Sequence, residues 1–367
     1  MRRLAVILLT LILAACTARV TPEALLPVTY TVPQARTVNM VVATSRGTDD
    51  KTGYLDADRA TTLSFAALTV SLPPTHKAGE IEWKRANDRK PEKAFVALRN
   101  DRLTALQFET ALAALIPPSG EVFVFVHGYN TLYEEGVFRL AQIAADTGVP
   151  APILFSWPSR GAVTDYLTDR ETVLATRNRF DDFLRELAAM PRVKTINIFA
   201  HSMGSMLTME TLQMAKLKGD VNYGGKLNAL VLAAPDIDSD VFAAQLEVIG
   251  NRGRPTAILI SRDDRALQLA QRLAGGVVRV GAATPESQAT LVAIKKLGIT
   301  AIDITDLKGA DSLDHNTFAE SPVLLQQIAR YLGGKPGTRP VAAGAFIIDA
   351  TGRLLAFPGN FLSRMAQ

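Results

Sequence analysis

Six short apolar runs recur through the middle of this chain: Glu121–Val126 (EVFVFV), Pro152–Phe155 (PILF), Thr195–Phe199 (TINIF), Ala229–Ala233 (ALVLA), Ala257–Ile260 (AILI) and Ile299–Ile304 (ITAIDI). Runs this short and this continuously apolar read as strands buried on both faces. Between them lie amphipathic stretches such as Leu132–Ala145 and Val173–Met190. In the second, Phe180, Phe183, Leu184 and Leu187 recur at helical spacing, with Arg177, Asp181, Asp182 and Arg185 between them. A chain that alternates buried strands with helices has few ways to bury both: the fold class is α/β, a mostly parallel, doubly wound sheet with helices on both faces. At 367 residues, with 48% hydrophobic and 21% charged side chains, the chain can bury a large core, and disordered, collagenous and polytopic membrane classes are excluded.

The ends carry different signals. Arg2 and Arg3 precede an apolar run from Leu4 to Leu13, broken at Thr10, and then small residues and Cys16. A cationic end followed by a short apolar helix is the layout of a secretory signal. A membrane span needs about 20 apolar residues, so this run is too short to be one. Leu13-Ala14-Ala15-Cys16 resembles the bacterial lipobox, in which cleavage before the cysteine leaves it lipidated as the mature N-terminus. That resemblance implies a signal peptide over 1–15 and lipidation at Cys16. Thr17, in place of an aspartate, resembles signals passed on to the outer membrane, so the expected location is the bacterial envelope, facing the periplasm. Cys16 is the chain's one cysteine, which also excludes intramolecular disulfides and thiolate-rich metal centres. The formal charge of +4 includes the two leader arginines and is too near neutrality for a nucleic-acid binder.

Residues 16–36, rich in Pro, Thr and Ala, read as a tether. The folded domain is expected over 37–333. It opens with two β-rich runs, Val38–Thr44 and Leu63–Leu72, and a charged loop over His76–Lys93. Residues 334–367 read as a tail in which Phe346–Asp349 and Arg353–Phe357 form a hairpin.

Two strand ends carry chemistry. The run Thr195–Phe199 enters Ala200-His201-Ser202-Met203-Gly204 and then a helical stretch. A nucleophilic serine must stand clear of the backbone on a sharp strand–turn–helix corner, and the residues two before and two after it must be small. Ala200 and Gly204 meet that condition. The new helix also turns its first amides toward the serine, favouring developing negative charge. The strand Phe123–Val126 runs into His127-Gly128-Tyr129-Asn130. A strand ending in His-Gly resembles the way α/β hydrolases place one amide of an oxyanion hole, and on that resemblance the donors are the amides of Tyr129 and Met203. His127 is then a loop-bonding residue, not the base.

Taken together, FVFVHGYN, FSWPSRG (Phe155–Gly161) and IFAHSMG resemble a bacterial family of α/β hydrolases known as a domain of unknown function, over roughly residues 95–330. The resemblance implies the α/β-hydrolase fold and a serine nucleophile, Ser202, but no substrate. It also implies a base after the last strand, where His315 lies. Of the other histidines, His201 is locked in the corner, His76 precedes the first motif, and His127 follows the wrong strand. The acid that orients His315 is expected after Ala257–Ile260. Asp264, before the Ala-Leu that opens the next helix, matches the family position; Asp263, Asp236 and Asp238 are the alternatives.

The expected activity is carboxylic ester hydrolysis through an acyl-enzyme, on a small-molecule or lipid ester, with no metal and no organic cofactor. Asn130, Trp157 and Arg160 should border the crevice with His127; Arg160 either binds an anionic substrate group or fixes its loop through a salt bridge, and Tyr166 either lines the pocket or packs. Two rival readings stand beside this one: an acyltransferase acting on lipid or cell-wall groups, with an alcohol in place of water, and a non-catalytic envelope scaffold or binding lipoprotein of the same fold. Any cap over the site should come from residues 205–228 or 265–298.

Overall fold

A computed structural model describes residues 19–83, 89–250, 256–283, 299–307, 315–333, 346–348 and 354–355. Cys16, Asp314 and most of the tail lie outside the described residues. The strands are β1 (Arg36–Thr48), β2 (Leu55–Leu72), β3 (Val96–Leu103), β4 (Glu121–Val126), β5 (Pro152–Ser156), β6 (Thr195–His201), β7 (Leu227–Ala233), β8 (Thr256–Ile260), β9 (Thr300–Asp303), β10 (Phe346–Ile348) and β11 (Leu354–Leu355). They form one sheet in the order β11-β10-β9-β8-β7-β6-β4-β5-β1-β2-β3. From β1 to β9 all neighbours on that path are parallel, while β2, β3, β10 and β11 add antiparallel edges.

The helices are α1 (Ala105–Leu115), α2 (Tyr133–Thr147), α3 (Tyr166–Ala189), α4 (Met203–Leu217), α5 (Ser239–Ile249), α6 (Arg265–Leu273), the short α7 (Thr317–Glu320) and α8 (Pro322–Gly333). The strand pleat divides the core between them. Val122, Val124 and Val126 of β4 pack on the side of Phe180 and Phe183 from α3 and Leu207 from α4. Phe123 and Phe125 face the opposite way, toward Val137 and Phe138 of α2 and Leu324 and Leu325 of α8. This alternation is why every strand in the centre reads as continuously apolar.

The chain reverses direction across the sheet at β4. The β4–α2–β5 unit steps toward β1, whereas α3 carries the chain back past β4 to β6, from which it proceeds outward to β9. Right-handed crossovers running in opposite senses put α2 and α3 on opposite faces, so the chain changes direction between β4 and β6, whose carboxyl ends lead into His127 and Ser202.

Three expectations need correction. Residues 19–36 are not a free tether: Val20, Ala24 and Leu25 are buried in the core, and the Val28 amide bonds Ala97 O at 2.9 Å. Ala24 and Leu25, placed after a helix-starting proline, give this segment an apolar face to bury, while Leu26 stays exposed. The 205–228 stretch forms no cap, since α4 continues to Leu217 and Val221 and Tyr223 are buried beyond it. His76 sits in a loop as expected, but its ring is buried between Glu82 and Asp146. Among the described residues no helix is long and apolar enough to cross a membrane.

Candidate active site

Ser202 joins β6 to α4 with φ 52° and ψ −120°, a region that L-residues avoid and that persists only where the surroundings over-determine it. Those surroundings are tight. The Ser202 amide bonds Ala233 O at 2.9 Å, and its carbonyl accepts from the amides of Ser205 (2.9 Å) and Asp236 (3.3 Å). A methyl on Gly204 would lie 2.3 Å from the His127 carbonyl oxygen, so only glycine lets α4 start this close to the end of β4. A methyl on Gly128 would lie 2.7 Å from His201 Nδ1 and 3.0 Å from Ser202 Cβ. The His-Gly turn and the serine corner are thus pressed against each other. Met203 opens α4, so its amide belongs to the first turn, which lacks intrahelical acceptors.

His315 lies on the segment after β9 and meets Asp264, in the turn between β8 and α6, with Nδ1 to Oδ2 2.7 Å. Against a carboxylate, Nδ1 carries the proton and Nε2 is left as the basic nitrogen. The other Asp264 oxygen accepts the Leu267 amide at 2.9 Å and caps α6. One buried carboxylate therefore starts a helix and orients a histidine. The His315 segment is held beside the serine corner by His201, whose Nε2–H donates to the His315 carbonyl at 3.2 Å. The two imidazoles are 4.6 Å apart between centroids. Burial, with His315 adjacent, pushes His201 well below the usual histidine range, so it stays neutral.

The alternative acids are otherwise engaged. Asp263 is exposed. Asp238 caps α5 by accepting the Asp240 and Val241 amides. Asp236 is buried, accepts the Tyr166 hydroxyl at 3.1 Å and pairs with Arg279 Nε at 3.3 Å. Burial raises its carboxyl, and Arg279 opposes that. Tyr166 packs edge-on to Tyr129 at 5.4 Å and is itself buried, and burial raises its hydroxyl to about 12.

His127 and Trp157, expected to border the crevice, are buried beneath the loops after β4 and β5 instead. Both are essentially inaccessible; their rings stack at 5.2 Å, and Trp157 Nε1 donates to His127 O at 2.8 Å. Their indole and imidazole planes fill the space under the loop, so neither side chain can touch a ligand. Burial, then the nearby Arg46 charge, lowers His127 to about 3. Its Nδ1–H bonds Gly128 O at 2.9 Å, and its Nε2 accepts from Ser156 Oγ at 3.2 Å. Arg160 is exposed, and its loop is fixed by other groups: the Arg160 amide and Ser159 Oγ both bond Asp169, at 3.0 and 2.6 Å.

The cation that holds this region is Arg46, which the sequence reading passed over. It donates to Ser156 Oγ (3.0 Å), Ser159 O (3.0 Å) and Thr131 O (2.8 Å), tying β1, β5 and the loop after β4 together. Desolvation lowers it to about 10, against the pull of Glu134 and Asp169. Its signal was an arginine separated by two residues from the apolar run Met40-Val41-Val42-Ala43 and still inside β1. Asn130 adopts φ 56°, and its carbonyl and side-chain oxygens accept from Arg19, a second cation not singled out from sequence. Among the described residues no group of three His, Cys, Asp or Glu side chains could hold a metal ion.

A model of the family described as alpha/beta hydrolase of unknown function (DUF900) matches residues 105–331, more than half of the chain. The chain belongs to this family. The match to this hydrolase family runs from α1 to α8 and takes in Ser202, Asp264 and His315. Similar solved structures include an esterase from Pyrobaculum calidifontis, at 11% identity and TM-score 0.39, covering 81% of this chain and 85% of that one. A fungal esterase from Rhizomucor miehei gives 12% identity and TM-score 0.38, over 81% of this chain and 83% of that one. The siderophore hydrolase EstB from Aspergillus nidulans gives 10% and 0.37, over 86% and 99%. No curated protein matches.

Proposed function

We propose that this α/β hydrolase is a serine esterase that works through an acyl-enzyme, with Ser202 as nucleophile, His315 as base and Asp264 as the carboxylate that orients it. The observation that carries the reading is the 2.7 Å bond between His315 Nδ1 and Asp264 Oδ2, formed beside a serine held at φ 52°. In this mechanism His315 Nε2 takes the Ser202 proton as Oγ attacks the ester carbonyl. The tetrahedral oxyanion is met by the amides of Tyr129 and Met203, and the His315 proton passes to the departing alcohol. Water, deprotonated by His315, then releases the acid and restores Ser202. Asp264 keeps its charge throughout and stabilises the imidazolium. On the strength of the lipobox resemblance, we place the enzyme on the bacterial envelope, held through an acylated Cys16 and facing the periplasm.

The test is labelling of the native protein with a fluorophosphonate probe, beside turnover of p-nitrophenyl esters of rising chain length. Labelling that is lost in Ser202→Ala and turnover that falls with it are the expected results. A wild-type protein that takes no label, even after detergent extraction, and turns over no ester overturns the esterase reading and supports a scaffold of the same fold.

A further inference from the structure

The N-terminal segment is rooted on the loops after β4 and β5, beside the serine corner. Arg19 donates to Asn130 O (2.7 Å) and Asn130 Oδ1 (2.9 Å), and it also bonds Gly161 O and the Glu135 carboxylate. Asn130 follows Tyr129, and Gly161 closes the FSWPSRG loop, so this one side chain grips both loops on that side of the serine corner. Cys16 lies three residues upstream. At no more than about 3.6 Å per residue, a lipid-bearing Cys16 stands within about 11 Å of the Arg19 α-carbon. An anchor that short gives the domain little freedom to turn: the face that carries Arg19 is the face that meets the bilayer.

Next to these loops, and beyond them past Asp236, the protein carries apolar side chains in the open. Val163 and Leu167, four residues apart, are 57% and 66% exposed and flank Tyr166, whose hydroxyl reaches Asp236 behind the Ser202 carbonyl. On the far side of Asp236, Arg279 is preceded by Val277 and Val278, 41% and 43% exposed, and Ser239 Oγ holds the Val278 carbonyl at 3.1 Å beside the exposed Val241. A lone exposed leucine is ordinary, but these five are gathered around one buried chain of contacts, Tyr166 to Asp236 to Arg279, that backs the Ser202 carbonyl. The exposed Arg160 beside them suits anionic headgroups.

We infer that the rim formed by Val163, Leu167, Val241, Val277 and Val278 rests on a lipid bilayer, and that the crevice takes its ester from an amphiphile resident in that bilayer. This inference rests on the esterase reading above and specifies its substrate class. The full acylated chain, reconstituted in phosphatidylethanolamine–phosphatidylglycerol vesicles, is assayed on soluble p-nitrophenyl butyrate and on a fluorogenic long-chain ester embedded in the same vesicles. Two variants are compared: Leu167→Asp, and an insertion of about twenty Gly/Ser residues between Thr17 and Ala18, which gives the anchor a long flexible reach. The expected result is that the ratio of embedded to soluble turnover falls about tenfold or more in each. An unchanged ratio in both, with Cys16 found acylated by mass spectrometry, overturns the bilayer-facing rim and leaves the esterase reading intact. A Cys16 without acyl chains overturns it too. A wild-type chain that turns over neither ester overturns the esterase reading, and this inference with it.

Discussion

Ser202 occupies backbone space that costs a non-glycine residue about 1–3 kcal/mol, and the fold tolerates it because three backbone hydrogen bonds and two glycine contacts leave the corner no other shape. On the proposed function, Ser202→Ala keeps the strain and loses the nucleophile, and ester turnover should fall by about a thousandfold or more. Ser202→Gly also loses the nucleophile but relieves the strain, and it should melt above Ser202→Ala in a thermal scan. Equal melting temperatures would mean that the corner stores no strain. Asp264 permits a cleaner separation of roles, because asparagine caps helices as well as aspartate does. Asp264→Asn should therefore fold normally while presenting His315 with an amide in place of a charge. Its kcat should drop by about a thousandfold or more, as expected when the base is held in the wrong tautomer. Asp263→Asn, at the exposed neighbour, should stay within about threefold of wild type on the same assay.

At the level of elements, the central strands were readable because each is buried on both faces and so writes an unbroken apolar run. The run Glu121–Val126 coincides with β4, and Ala257–Ile260 falls one residue short of β8. Edge elements were harder. The Leu63–Leu72 run is only the buried end of β2, whose first residues, Leu55-Asp56-Ala57-Asp58-Arg59, are half-exposed and polar and pair with the irregular end of β1. β3, as Val-Ala-Leu-Arg-Asn-Asp-Arg-Leu, is charged because one edge of it meets solvent. The site divides the same way. Ser202 is marked by its local context, and His315 and Asp264 by the strand order that the family resemblance implies, whereas Arg46 acts mainly through partners 85 to 113 residues away, with Asp56 O the one near partner, a relation no window of sequence contains. Arg46 holds three elements by separate N–H groups, which a single ammonium cannot reproduce. Arg46→Lys should cost about 2–4 kcal/mol in chemical denaturation. It should also lower kcat against soluble esters, since the loop that bears Tyr129 and Thr131 loses its tie to β5.

Across the whole molecule, three buried histidines give stability a dependence on pH with two opposed limbs. His127, lowered to about 3, and His201, also lowered, refuse protons that the unfolded chain accepts below about 6.5. The contribution of each is therefore complete above that pH and is lost as pH falls toward the folded value, by about 1.4 kcal/mol per pH unit per group. Asp146 adds to this acid limb. Burial alone would raise its carboxyl, but hydrogen bonds from His76, Gln142 and Gly79 hold it below its ordinary value. His76 works in the other direction. Burial by itself would lower its ring, yet Asp146 at 3.0 Å and Glu82 at 2.7 Å overcome that and raise it. The folded state keeps the His76 proton after the unfolded chain has released it, so the contribution is whole below about pH 6.5 and fades as pH climbs through the raised value. The loop that follows β2 is thereby clamped to the end of α2 by a charge that alkali removes. Denaturant unfolding measured from pH 5 to 9 should show wild-type stability falling above neutrality. In His76→Gln that alkaline slope should flatten, while the acid limb set by His127 and His201 persists. A slope above neutrality that is the same in both proteins would place the titrating group elsewhere and remove His76 from this account.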